Sequence, residues 1–263
     1  MLKQSIFTRA LPGLLLASAL TALPGCGGNT THTDTPRVAT GSTNTQGLWR
    51  MKEQFATETF YSAAIVEGTG NNPTITDCSR AFEADKLTLN GDHYDGFDYD
   101  MAPLNIVNND AMTWNYNNQT RSFQKMDENA QFNMGTFTLT STLLPSVVAS
   151  KLVCTQYSTG DKGESLVLTT RVLGKPLLIT IRMKDGFKVG TFNISPYGDQ
   201  PAMVIFSGPY WATTTLLAYD DIASGTLTIK ERGKVWITGN LSGQLLHGKK
   251  SVSVNFDVET PAD

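Results

Sequence analysis

The stretch Ser251-Val252-Ser253-Val254-Asn255-Phe256-Asp257-Val258 alternates strictly between polar and apolar side chains. Successive residues of an extended strand point to opposite faces. A period of two therefore puts Val252, Val254, Phe256 and Val258 on one side and Ser251, Ser253, Asn255 and Asp257 on the other. Such a strand has one dry face and one wet face. The same pattern recurs toward the N-terminus. Leu227 and Ile229 alternate with polar neighbours, Arg232-Gly233 marks a turn into Val235 to Asn240, and His247-Gly248-Lys249 marks the turn into the last strand. Further back, SLVLTTRVL (165–173) and PLLITIRMK (176–184) flank Gly174-Lys175 as a hairpin, and Asp185-Gly186 turns the chain into FKVGTFNIS (187–195). Residues 164 to 258 predict about eight strands joined by tight turns, an antiparallel meander suited to a sandwich or a barrel. The expected class is all-β with at most one or two short helices.

The N-terminal half carries the same signal less cleanly. LTLNGDHY (87–94) and AMTWNYN (111–117) read as strands, the second aligning Met112, Trp114 and Tyr116 on one side. GLWRMKEQFATETFYSAAIVEG (47–68) reads as two strands, although Leu48, Met51 and Phe55 also fit a helical spacing. Pro145, opening SVVASKLV (146–153), marks the best short helix. No repeat of fixed period is present.

The chain begins with a short basic head, Lys3 and Arg9, followed by the apolar run Ala10 to Leu23. That run is shorter than the roughly 20 residues a membrane-spanning helix needs, and it reads as a signal peptide. It ends in Leu23-Pro24-Gly25-Cys26, which resembles the lipobox of bacterial lipoproteins, with Pro24 where that family has a small residue. The resemblance implies cleavage before Cys26 and acylation of its thiol and new amino terminus by fatty acids such as palmitate. Two or three acyl chains hold a protein stably at a bilayer, whereas one is marginal. Gly27 in place of aspartate after the cysteine implies, by the same resemblance, an envelope protein sorted to the outer membrane. Residues 26–46 are nearly free of large apolar groups and are expected to form a disordered tether. The expected organisation is therefore residues 1–25 as leader, 26–46 as lipidated cysteine and tether, and 47–263 as a β-rich domain, with a subdomain boundary near 160 if there are two.

The formal charge of −3 becomes −5 once Lys3 and Arg9 leave with the leader, so no basic stripe invites nucleic acid. Of the three cysteines, assigning Cys26 to lipid leaves Cys78 and Cys154 as a pair. An oxidising compartment favours a disulfide between them, and a metal site lacks clustered histidines.

Chemistry-bearing motifs are sparse. Asp92, Asp95, Asp98 and Asp100, with His93 nearby, offer oxygen ligands for Ca²⁺, but their spacing is not that of an EF-hand loop, and Asn90-Gly91 and Asp95-Gly96 are turn signals. The plainer reading is a solvated hairpin tip. There is no G-x-S-x-G elbow, no H-E-x-x-H and no phosphate-cradling glycine loop, so no catalytic residue is singled out, no cofactor is expected and the chain reads as a non-enzyme. Trp114 and Tyr116, in an asparagine-rich stretch, and Tyr210-Trp211 are candidate ligand-binding aromatics for stacking on sugar rings; core packing explains them equally well. Adjacent residues in a strand face opposite ways, so only one of Tyr210 and Trp211 is expected to be buried.

Gly47-Leu48-Trp49 resembles the G-x-W at the first strand of lipocalins. That resemblance implies an up-and-down barrel around an apolar ligand, with Trp49 at its closed end. The leading expectation is a lipid-anchored envelope protein whose β domain binds or scaffolds a periplasmic or surface protein or glycan. The alternatives are a lipocalin-like carrier and a hydrolase of envelope polysaccharide.

Overall fold

The computed structural model describes residues 44–143, 148–150, 152–215, 219–247 and 249–262. Cys26, with the leader and most of the tether, lies outside the described residues. Among those described, no helix is long and apolar enough to cross a membrane.

Strand β1 (Gly47–Phe55) and β2 (Glu58–Glu67) form a hairpin, as their alternation predicts, and β3 (Thr74–Asp77) and β4 (Glu83–Lys86) continue the meander. It runs on through β5 (Thr88–Asn90), β6 (His93–Asp95), a 3₁₀ turn (Phe97–Asp100), β7 (Leu104–Asn108), β8 (Ala111–Tyr116) and β9 (Gln119–Asp127). The β9 strand returns to pair with β1. Leu87 and Leu89 donate backbone bonds to Pro73 and Asn71, so β5 carries on the edge that β4 begins and this half of the chain closes into a ring. The β8–β9 turn places Asn117 and Asn118 at φ 48° and 64°. Two left-handed residues give the tight hairpin whose twist matches its strands, and Asn tolerates that conformation.

The second half holds β10 (Gly135–Ser141), β11 (Val148–Ser150), β12 (Val153–Gly160), β13 (Gly163–Val172), β14 (Lys175–Met183), β15 (Gly190–Ile194) and β16 (Ala202–Ser207). It continues through helix α1 (Pro209–Thr215) to β17 (Tyr219–Arg232), β18 (Trp236–Leu245) and β19 (Ser251–Glu259). Pairing runs from β12 through β13, β14, β16, β17, β18 and β19 to β10, with β15 on the far part of β17. The β10 strand then pairs with β11, and Met134 donates its amide to Val153 O at 3.0 Å, which brings β12 back beside it. Among the described residues the strand network is antiparallel but for one parallel bridge between β15 and β16, and it closes on itself.

The stretch that opened the reading behaves as its alternation requires: Val252, Val254, Phe256 and Val258 are all buried, opposite Leu241 and Ile237 on β18 and Phe137 and Leu139 on β10. Each such side chain contributes roughly 1.5 to 3 kcal/mol by leaving water. These residues belong to the larger core, inside the second ring, with Leu166, Ile179, Phe206 and Trp211. A separate core inside the first ring contains Trp49, Met51, Tyr94, Phe97, Trp114 and Phe123. A third cluster joins the two around Cys78 and Cys154, with Leu48, Ala63, Ile65, Phe82 and Met134. Strand β2 explains this arrangement. Its continuous buried run Tyr61–Val66 sends Ala64 and Val66 into the first ring and Ala63 and Ile65 into the joint, the pattern of a strand covered on both faces.

Three local expectations are corrected. The helix expected after Pro145 is not seen where the chain is described: Val148–Ser150 is a strand against β10, with Val148 packed into the second core. The helix lies instead at Pro209–Thr215, with proline at its first position, where a missing N–H costs nothing. Tyr210 and Trp211 therefore sit on a helix, where neighbours are about 100° apart, and both are buried. The hairpin turn expected at Gly174-Lys175 is centred one residue earlier, on Leu173-Gly174, with Val172 paired to Lys175.

A cleft between the two strand rings as the candidate functional site

Strand β2 divides its outer edge between two partners. Thr59–Tyr61 pairs with β12, whereas Ala64–Glu67 pairs with β3, so the rings share a stave and part from it in different directions. Where they part, a cleft of about 620 Å³ opens. Its first wall continues the inner face of the first ring: Met51 and Glu53 on β1 lie opposite Ser62 and Phe60 on β2, with Glu58 beyond them. The same strand parity that buries Trp49 and Ala64 deeper in the ring presents Glu53 and Phe60 at its open end. The second wall is the outer face of β12–β14. Leu166, Leu168, Ile179 and Ile181 point into the second core and leave Ser165, Val167, Thr180 and Arg182 facing the cleft.

Arg121, from β9, lies on the floor. Its Nε donates to Glu53 Oε2 at 3.0 Å and its Nη1 to Asp98 Oδ2 at 2.7 Å, while its guanidinium lies 4.4 Å from the Trp114 ring centre. Asp98 also lies 3.7 Å from Arg80, and its amide donates to Asp85 at 2.9 Å. Arg80 binds the Asp85 carboxylate directly and lies 3.8 Å from Asp77. Burial pushes the Asp77 carboxyl above its ordinary range, against the opposing pull of Ser79, which donates through its amide and hydroxyl, and of Arg80 and Arg121. The Asp98-Tyr99-Asp100 run sits at φ 49°, 61° and 60°, in the left-handed region. Short Asp side chains tolerate it, and the turn brings Asp98 under both arginines.

On the far wall Tyr157 is buried against Phe187 and Tyr61, with its hydroxyl 3.2 Å from Arg232 Nη2. Burial raises its pKa most, and the hydrogen-bonded, negatively charged Glu164 raises it further, against Arg232. A folded-state pKa above the unfolded value means that the neutral phenol's contribution to stability is complete below the ordinary tyrosine range and is lost progressively as pH rises from that range through the folded value. At about pH 11, where a free phenol has largely ionised, Tyr157 is expected to remain protonated. Ultraviolet titration of the protein against Tyr157→Phe tests this; a difference spectrum showing an ordinary tyrosine titration overturns it.

The residues singled out from sequence lie elsewhere. Trp114 is fully buried in the first core, its indole donating to Ala102 O at 3.2 Å, and Tyr116 packs on it at 5.6 Å. Trp211 stacks on Phe206 at 5.0 Å inside the second ring. Both pairs are core aromatics in the described structure. Of the aspartates, Asp92 points to solvent beside His93, Asp95 lies 3.5 Å from the other His93 nitrogen, Asp98 is paired with arginines, and Asp100 accepts the Gly96 amide at 2.9 Å. They do not converge, and no group of three or more metal-ligating side chains occurs among the described residues. His247 lies 2.9 Å from the fully buried Asp220 at the far end of the second ring. Cys78, just past β3, is bonded to Cys154 on β12. Trp49 is buried, its indole donating to Thr45 O at 2.9 Å, and Thr45 is itself buried against the Tyr94 hydroxyl.

Sequence reasoning missed Glu53, Phe60, Arg121 and Tyr157. The only sequence trace is polar residues continuing the inward parity of β1 and β9 beyond Met51 and before Phe123, which marks a ring whose end is open. No family model, no curated protein and no solved structure matches this chain.

Proposed function

We propose that this chain is a lipid-anchored bacterial envelope protein whose β domain is a non-catalytic binding module that takes its partner in the cleft between the rings. The observation that carries the reading is where space is left. Large side chains fill both ring interiors, including Trp49, Phe97 and Trp114 in one and Phe206 and Trp211 in the other, while the cleft outside them is open and lined by groups able to hydrogen-bond. Filled rings weigh against a carrier that encloses an apolar ligand, because such sites are apolar cavities. The anchor is supported by the lipobox-like Leu23-Pro24-Gly25-Cys26 and by the bond between Cys78 and Cys154, which leaves Cys26 as the remaining cysteine of three. Strand β1 begins at Gly47, and its cleft residues Met51 and Glu53 lie about 13 to 20 Å along it from that end.

Hydrogen–deuterium exchange of the purified full-length protein, with and without a detergent-solubilised envelope fraction, tests the module. Slowed exchange is expected in residues 53–62 and 156–165; slowing confined to other segments, or none, overturns the reading. Cys26→Ser is expected to move the protein from the detergent phase to the aqueous phase, and unchanged partitioning overturns the anchor.

A further inference from the structure

We infer that the cleft takes an uncharged, polyhydroxylated ligand, a segment of saccharide chain. This rests on the cleft being the binding site proposed above and names the chemical class it fits. The first argument is charge. The lining holds Glu53, Glu58 and Glu164 against Arg121, Lys162 and Arg182, and Glu53 is already paired with Arg121. With acid and base in equal number, the walls carry no net field to select a phosphate, a nucleic acid or a polycation, all of which need an excess of one sign.

The second argument is the kind of group presented. Ser62, Ser79, Ser158, Thr159, Ser165 and Thr180 line the cleft, with Gln156 among them, and each hydroxyl both donates and accepts. The Ser62 hydroxyl on the floor is buried and has no hydrogen-bond partner among the described residues, a cost that a ligand hydroxyl seated nearby removes. An apolar ligand gains nothing from such a lining, since apolar sites are built mainly of hydrophobic side chains. Beside the hydroxyls lies Phe60, 39% exposed, and an exposed ring among hydroxyls matches a pyranose, which has C–H faces and a hydroxyl rim.

The third argument separates saccharide from peptide. Extended peptides bind largely by adding a strand to a free sheet edge. Here β2 is held by β1 and β12, β12 by β2 and β13, and β13 by β12 and β14 along the cleft walls. A peptide finds no backbone edge there, whereas a saccharide, recognised through its hydroxyls and ring faces, needs none.

The test uses the exchange experiment on the full-length protein with the solubilised envelope fraction treated in two ways. One portion is digested with proteinase K, which is then inactivated; the other is oxidised with periodate, which cleaves vicinal diols, and quenched. Slowing at 53–62 and 156–165 is expected to survive protease and to be lost after periodate. Phe60→Ala, which removes a partly exposed ring, is expected to keep the thermal midpoint and to weaken binding of the protease-treated fraction about fivefold, the effect of losing one aromatic contact worth about 1 kcal/mol. Slowing that survives periodate, that needs intact protein in the fraction, or that is indifferent to Phe60→Ala overturns the saccharide assignment while leaving the cleft as the site. No slowing with the untreated fraction overturns the site itself.

Discussion

Cys78→Ala/Cys154→Ala is expected to lower the stability of the domain by about 4.5 kcal/mol in the chain-entropy account of a cross-link. The two residues are 76 positions apart in sequence. The bond joins the end of β3 in the first ring to β12 in the second, at the centre of the cluster formed by Leu48, Ala63, Ile65, Phe82, Phe132 and Met134. Without it the unfolded chain regains the freedom of that loop, while the folded state keeps packing, the short β2–β12 ladder and side-chain bonds such as those of Gln156 to Cys78 O and Arg171 to Phe82 O to hold the rings together. For a domain of this size the loss corresponds to a thermal midpoint lower by about 9 to 18 °C. Thermal unfolding followed by circular dichroism measures it. An unchanged midpoint would show that the bond contributes nothing to the joint and that packing and hydrogen bonds hold the rings together without it.

Arg80→Met is expected to cost about 3 to 5 kcal/mol at neutral pH, the range for removing one partner of a buried ion pair. Arg80 faces Asp77, Asp85 and Asp98, and the side chains of Asp77 and Asp98 are 1% and 8% exposed. Methionine preserves much of the volume over Phe97 and Tyr99, on which the guanidinium now rests, so the loss isolates charge from packing. Arg121 still meets Asp98 in the variant, but Asp85 loses its direct cation. The pH dependence has a definite sign. Burial already raises the Asp77 carboxyl, and loss of Arg80 removes a charge that opposes the rise. A carboxyl whose folded pKa lies above its unfolded value favours the folded state when protonated and penalises it when ionised, so the penalty grows as pH rises through the folded pKa. The deficit of the variant should therefore narrow on going from about pH 7 to about pH 5. Urea unfolding of both proteins at both pH values decides the matter; an equal deficit at each would mean that Arg80 acts through packing rather than charge.

How much of this was legible beforehand depends on the range of the interaction concerned. The β19 alternation and the turns at Arg232-Gly233 and near Gly174 are local, and their strands form where the period of two and the turn residues put them. The β1–β2 hairpin is local too, though its helical alternative is excluded only because β9 and β12 are present to bond its two edges. Where the local signal was weak, tertiary packing decided. Residues after Pro145 tolerate a helix, yet the open edge of β10 takes Val148–Ser150 as a strand. Tyr210-Trp211 gives no strong sign of its structure, and the second core admits both rings from a helix. The aromatics chosen as ligand contacts were chosen for their chemistry, and their burial follows from the same apolar surface that made them conspicuous.

The sequence by itself determined the all-β class, the strands of the C-terminal half and the pairing of Cys78 with Cys154, and it alone supplies the case for an anchor at Cys26. These follow from short-range periodicity, from turn residues and from the chemistry of an odd cysteine. Only the tertiary structure decided that β2 is shared between two rings, that Arg80 and Arg121 hold the carboxylates of Glu53, Asp77, Asp85 and Asp98 together, and that a cleft remains where the rings part. The reason is physical: a cleft is the space left by elements that do not pack, and no residue carries a local preference for it. It appears when strands distant in sequence have taken their partners, and its walls are side chains whose parity was readable but whose neighbours were not.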